Sequence, residues 1–99
     1  MLKIQRQPEF WSEVEFLAPG GEVAGVARMK WKAVTRSEYY DMLKLPADEV
    51  IKKVLVGWDG IEDEFNTTNV ARLIDELPSS ARDMLDSFTR ALFAAERKN

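Results

Sequence analysis

Between Phe10 and Val34 apolar and polar residues alternate with a period of two, the pattern of strands covered on one face. Along the first run Phe10, Ser12, Val14 and Phe16 share one side, with Trp11, Glu13, Glu15 and Leu17 on the other. Ala18-Pro19-Gly20-Gly21 follows, where proline presets the second turn position and glycine accepts the positive φ after it. The second run sets Val23, Gly25, Ala27, Met29, Trp31 and Ala33 against Ala24, Val26, Arg28, Lys30, Lys32 and Val34. These spacings predict a β-hairpin over residues 10–34 with one buried and one partly basic face. Leu2-Lys3-Ile4 offers a short third strand ahead of Pro8.

From Thr35 onward the period becomes helical. Thr35-Arg36-Ser37-Glu38 has the spacing of a capping box, so a helix carrying Tyr39, Tyr40 and Leu43 is expected over 36–45, stopped by Pro46. Pro46 can open a second helix over 47–57, with Asp48 and Glu49 at its positive end. Its apolar side would be Val50, Ile51, Val54, Leu55 and Trp58, ending at Gly57. Asn66 or Thr67 caps a third helix over 67–77 with the stripe Val70, Leu73, Ile74 and Leu77. After Pro78 a last helix over 79–97 aligns Ala81, Met84, Leu85, Phe88, Leu92 and Ala95. On its wet side Arg82–Asp86 and Asp86–Arg90 stand four apart. The expected architecture is therefore α+β: one domain over residues 1–99, an N-terminal hairpin or three short strands, then about four helices.

Composition narrows the chemistry more than the fold. With 99 residues the chain is sized for one thin core. Neither histidine nor cysteine is present. The usual general base, the usual metal ligands and the strongest nucleophile are thus missing, and no disulfide can form. Catalysis would rest on carboxylates, lysines, tyrosines or hydroxyls, and no spacing of Glu62, Asp63 or Tyr39 supports it. The expectation is a non-enzymatic protein with no cofactor and no metal. No apolar run approaches the roughly 20 residues of a membrane span, and the N-terminus lacks a signal-type stretch. A net charge of −3, with both signs in each half, argues against a general nucleic-acid binder.

Several positions invite a partner. Asp59, Glu62, Asp63 and Glu64 make an acidic loop, but Ile61 and Glu64 stand where a calcium loop starting at Asp59 needs an oxygen ligand and a glycine. A solvated loop is the expectation there. Arg28, Lys30 and Lys32 share a strand face near Arg36; it is either a solvated, charge-protected surface or contacts an acidic partner. Trp31 and Trp58 fall on apolar faces and read as core. Trp11 points away from Val14 and Phe16, so it covers a helix edge or meets a partner. Phe93 sits about 120° from the Leu85/Phe88/Leu92 stripe, so it meets the hairpin or is exposed for contact. Val56 is off its helix face in the same way. The candidate contact residues are Trp11, Arg28, Lys30, Val56 and Phe93.

The order of these features resembles a known family. Phe10-Trp11-x-x-Val14, a Pro-Gly turn, a strand ending near Trp31-Lys32 and Thr35-Arg36-Ser37-Glu38 come first. Val54-Leu55-Val56-Gly57-Trp58 with its acidic loop, Phe65-Asn66 and a long Ala-rich helix follow. This is similar to the tail assembly chaperones of long-tailed bacteriophages and prophages, with Met29 and Trp31 standing where the family has a Phe-Lys pair. The resemblance implies a protein of the host bacterial cytoplasm that coats the tape measure protein until tail tube subunits replace it, and that self-associates. It also implies a longer product made by a minus-one frameshift, for which codons of Arg97-Lys98-Asn99 could form a slippery adenine run. The alternative reading is a small phage or prophage nucleic-acid-binding regulator using the basic strand face, whose binding would weaken steeply with salt.

Overall fold

In a computed structural model, which describes residues 1–94, the hairpin forms from β1 (Phe10–Leu17) and β2 (Val23–Trp31). The strands pair antiparallel from Phe10↔Trp31 to Phe16↔Gly25, and the register shifts at Leu17. The turn forms where Pro19-Gly20-Gly21 demands it, with φ of 96° at Gly20 and 97° at Gly21, a region open to residues without Cβ. Alternation holds along β1 and along β2 from Val26 onward: Val14, Phe16, Ala27, Met29 and Trp31 are buried, while Trp11, Glu13, Glu15, Val26 and Arg28 are exposed. Val23 and Gly25, expected on the buried side, are exposed near the turn, beyond the helical cover.

The third strand is not the expected one. Leu2-Lys3-Ile4 takes no strand conformation, and β3 is instead Leu55–Asp59, antiparallel to β2 in a sheet ordered β1-β2-β3. The helix expected over 47–57 is correspondingly shorter. α1 is Arg36–Met42 and α2 is Ala47–Val54. Leu55 ends α2 and opens β3 at once, since its N–H still donates to the Ile51 carbonyl while its φ and ψ are already extended. Leu55 and Trp58, three apart, share a helical face, and a regular strand would point them opposite ways. The register shift between Lys30 and Trp31 is what sets them opposite Trp31 and Met29 on one side of the sheet. Two forces decide for the strand: Gly57 weakens a helix by about 1 kcal/mol, and the open side of β2 needs a hydrogen-bonding partner. Trp58 then faces Met29 across the ladder and Gly57 faces Lys30.

α3 (Thr67–Glu76) and α4 (Ser80–Leu92) complete the chain. α4 lies over β1, α2 packs on α4, and α3 touches both helices, so all the cover is on one side of the sheet. Trp31, Met29, Ile51, Met84 and Phe88 are fully enclosed between the layers. Two caps sit as expected: Thr35 and Glu38 form both bonds of the capping box, and the Asn66 side chain accepts from the Asn69 N–H. Of Tyr39, Tyr40 and Leu43, only Tyr39 is buried, while Tyr40 and Leu43 are exposed. α4 stops at Leu92 because Ala94 is left-handed, with φ of 53°. Ala95 and Arg97 of the expected last helix, and the Arg97-Lys98-Asn99 end, lie outside the described residues. Asp86–Arg90 pairs at 2.9 Å, whereas Arg82 reaches Asp83 at 3.5 Å in place of Asp86.

Candidate partner-binding surface

Because α2, α3 and α4 pack on one side, the other face of the sheet has no cover from the described residues. The hairpin register brings three of the five candidate contact residues together there. Trp11 faces Lys30 directly across the ladder and Arg28 diagonally. The Arg28 guanidinium carbon lies 4.7 Å from the Trp11 ring centre and the Lys30 ammonium 5.7 Å from it, within cation–π range. Lys30 also pairs with Glu9 at 3.2 Å. Trp11 remains 40% exposed, an amphipathic ring held by two cations and open to solvent. Val26 adds an exposed aliphatic side chain further along β2, opposite Glu15.

The face is not basic in sum. Glu13 stands opposite Arg28, Glu15 opposite Val26, and Asp59 of β3 opposite Arg28 on its other side. With Glu9 on Lys30, carboxylates surround the cations, and a phosphate backbone would meet repulsion beside each attraction. Lys32 lies past the end of β2, where its N–H donates to the Val54 carbonyl at 2.9 Å, and is not part of the Trp11 cluster.

Val56 and Phe93 are not in that cluster. Val56 falls at the irregularity between Lys30 and Trp31 on β3, half-buried and away from the helix on which it was expected. Phe93 neither meets the hairpin nor stands alone. Its ring is edge-on to Tyr39 of α1 at 5.0 Å, and it is 45% exposed. Tyr39 is edge-on to Tyr40 at 5.5 Å, and its hydroxyl shares a 3.0 Å bond with Thr89. Tyr40 and Leu43 extend this second apolar patch onto the outside of α1. Sequence periodicity did not say which of these residues face inward; the packing of Tyr39 on α4 shows which side of α1 is covered.

The acidic loop is fastened by its backbone, leaving its carboxylates outward. Trp58 Nε1 donates to the Asp63 carbonyl at 3.0 Å, and Asn69 Nδ2 to that of Glu64 at 2.8 Å. Among the described residues no three acidic side chains gather to hold a metal ion. Nor is any described helix long and apolar enough to cross a membrane.

Among the described residues the strongest perturbation of a titratable group is structural. Glu38 is lowered to about 2, first by its bond from Arg6 and then by the Thr35 N–H. Arg6 Nη1 lies 2.9 Å and the Thr35 nitrogen 2.8 Å from Glu38 Oε1, so this carboxylate joins the N-terminal arm to the capping box.

No curated protein and no solved structure matches this sequence. A family model does match, over residues 1–99, and its description is phage tail assembly chaperone. Every segment that builds the uncovered sheet face and the α1 patch lies within that match, and on that full coverage the chain belongs to the phage tail assembly chaperone family.

Proposed function

We propose that this chain works without turnover in the cytoplasm of the host bacterium, binding the tape measure protein and recruiting tail tube subunits while the tail is built. One observation carries the reading most directly. A domain with a single layer of helices leaves Trp11, Arg28, Lys30 and Val26 on an unpacked sheet face. A long helical client exposes apolar stripes that aggregate unless covered, and a sheet face with an aromatic anchor among mixed charges can cover them reversibly. Such mixed charge gives orientation and rapid encounter more than tight affinity, which suits a partner that must later leave. The Tyr40/Leu43/Phe93 patch offers a second contact for the tube subunit.

Co-expression with the tape measure protein of the same phage tests the reading. The client should be mostly soluble with the chain and mostly in the pellet without it. Trp11→Ala should fold normally and protect less. A client equally soluble whether or not the chain is present would end this reading.

A further inference from the structure

Residues 1–9 lead into β1 as an exposed arm that belongs to no helix or strand. Its base is fixed to its own domain by two ion pairs, Arg6 to Glu38 at 2.9 Å and Glu9 to Lys30 at 3.2 Å. Beyond Arg6 the apolar residues find nothing to pack on: Leu2 is 92% and Ile4 97% exposed. Yet Leu2-Lys3-Ile4 alternates as a strand does, and residues 1–8 carry Lys3 and Arg6 with no acid.

β3 presents the complementary surface. It is one of the two edge strands of the sheet and, among the described residues, pairs only with β2, so its far side offers unpaired backbone groups. Against its inner side opens a cleft of about 300 Å³ whose apolar lining is Ile51, Leu55, Phe65 and Val70. The strand runs straight into the loop bearing Asp59, Glu62, Asp63 and Glu64.

We propose that the arm Met1–Gln5 of one copy adds as a fourth strand along the free side of β3 of a second copy, with Leu2 and Ile4 seated in the cleft beside Leu55. Three complementarities meet in this one pairing. The arm supplies backbone partners over a length that matches the five residues of β3. Five extended residues span about 17 Å, enough to run the whole strand. With Leu2 and Ile4 turned inward, Lys3 turns to the face that carries Asp59, and the cationic arm lies along the acidic loop. The donor and the acceptor are different surfaces of the same chain, so each copy can give an arm and receive one. The contact does not rest on the chaperone reading, and the purified chain alone tests it.

Sedimentation equilibrium of the full chain at rising concentration should show mass above the monomer. Leu2→Asp with Ile4→Asp changes only exposed positions and should weaken association by about tenfold or more. Glu62→Lys with Glu64→Lys, on the acceptor side, should weaken it as well, and circular dichroism should stay native for both. Mixing these two defective variants is the decisive measurement. One keeps an intact acceptor and the other an intact arm, so together they should form a one-to-one dimer that neither forms alone. Because the chain has no cysteine, Lys3→Cys on one copy and Gly57→Cys on another can be bridged by a short bismaleimide with no competing native thiol, the mixed product being told from either same-variant product by mass. A chain that stays monomeric, arm variants that associate as the parent does, or bridging only within a doubly substituted single chain would each overturn the proposal.

Discussion

Trp31 shows how a single residue ties the two layers together. Its indole is fully buried, yet its N–H reaches Ser12 Oγ at 2.8 Å. Ser12 lies 2.7 Å from Ser87 Oγ, which lies 2.9 Å from the Glu13 carbonyl. Ser12 Oγ accepts from the indole and from Ser87, whose single proton serves either Ser12 or the Glu13 carbonyl at any moment. Ser12 looks like a flaw in the apolar face of β1 when the sequence is read alone. It is the acceptor that lets a tryptophan be buried. Ser12→Ala should therefore destabilise by about 1–3 kcal/mol in urea unfolding, far more than the lost volume explains. Glu38 supports a second residue-scale expectation. Its folded pKa, near 2, lies below the ordinary 4.5. A depressed carboxylate stabilises the fold above its unfolded pKa, and that contribution is lost as pH falls toward the folded value. The thermal midpoint should thus decline between pH 4.5 and pH 2, and Glu38→Gln should flatten this part of the profile. Both partners are exposed, so added salt should shrink the difference between parent and variant.

At the scale of elements, the helix-to-strand switch at Leu55 is the feature with most consequence. β3 covers one side of β2 and turns Trp58 toward the core, where Phe65 meets it edge-on at 5.1 Å. Gly57 sits on the opposite face, and a Cβ there would meet only the Lys30 side chain, at 3.7 Å, an ordinary contact. Gly57→Thr should stabilise by about 0.5–1 kcal/mol, since it trades a flexible residue for one that prefers strands. Gly60 has the opposite sign. Its φ is 87°, and a Cβ would come within 3.4 Å of the Val26 carbonyl and the Ala27 Cα. Gly60→Ala should cost about 1–2 kcal/mol, and the pair of thermal midpoints checks both signs at once. The same element also shows where sequence reading fell short. Capping chemistry is local, so Thr35-x-x-Glu38 and Asn66 were legible from short windows. The pairing of β3 is not local; a stripe at 50, 51, 54, 55 and 58 fits a helix until β2 is seen to need a neighbour.

For the molecule as a whole, one sheet face is core and the other is free for contact. Phe88 joins Phe10 at 5.7 Å and Trp31 at 5.1 Å, so this ring fastens α4 to both hairpin strands. Phe88→Ala should cost about 3–5 kcal/mol, enough to unfold much of so small a domain. The other face should behave in reverse. Val26→Lys, opposite Glu15, should leave stability within about 0.5 kcal/mol yet reduce protection of the tape measure protein in the co-expression assay. Loss of stability there would mean that the face is packed after all.

By itself the sequence determined the hairpin, its two faces, both local caps and the absence of histidine and cysteine chemistry. Each of these follows from neighbours in the chain or from composition. Tertiary structure decided the rest. It chose β3 over a longer helix, turned Tyr40 and Leu43 outward, and set Phe93 on Tyr39 in place of the hairpin. It gathered Trp11, Arg28 and Lys30 while leaving Val56 outside their cluster. The physical reason is common to all of these outcomes: periodicity tells which residues share a side, and only packing tells which side another element covers.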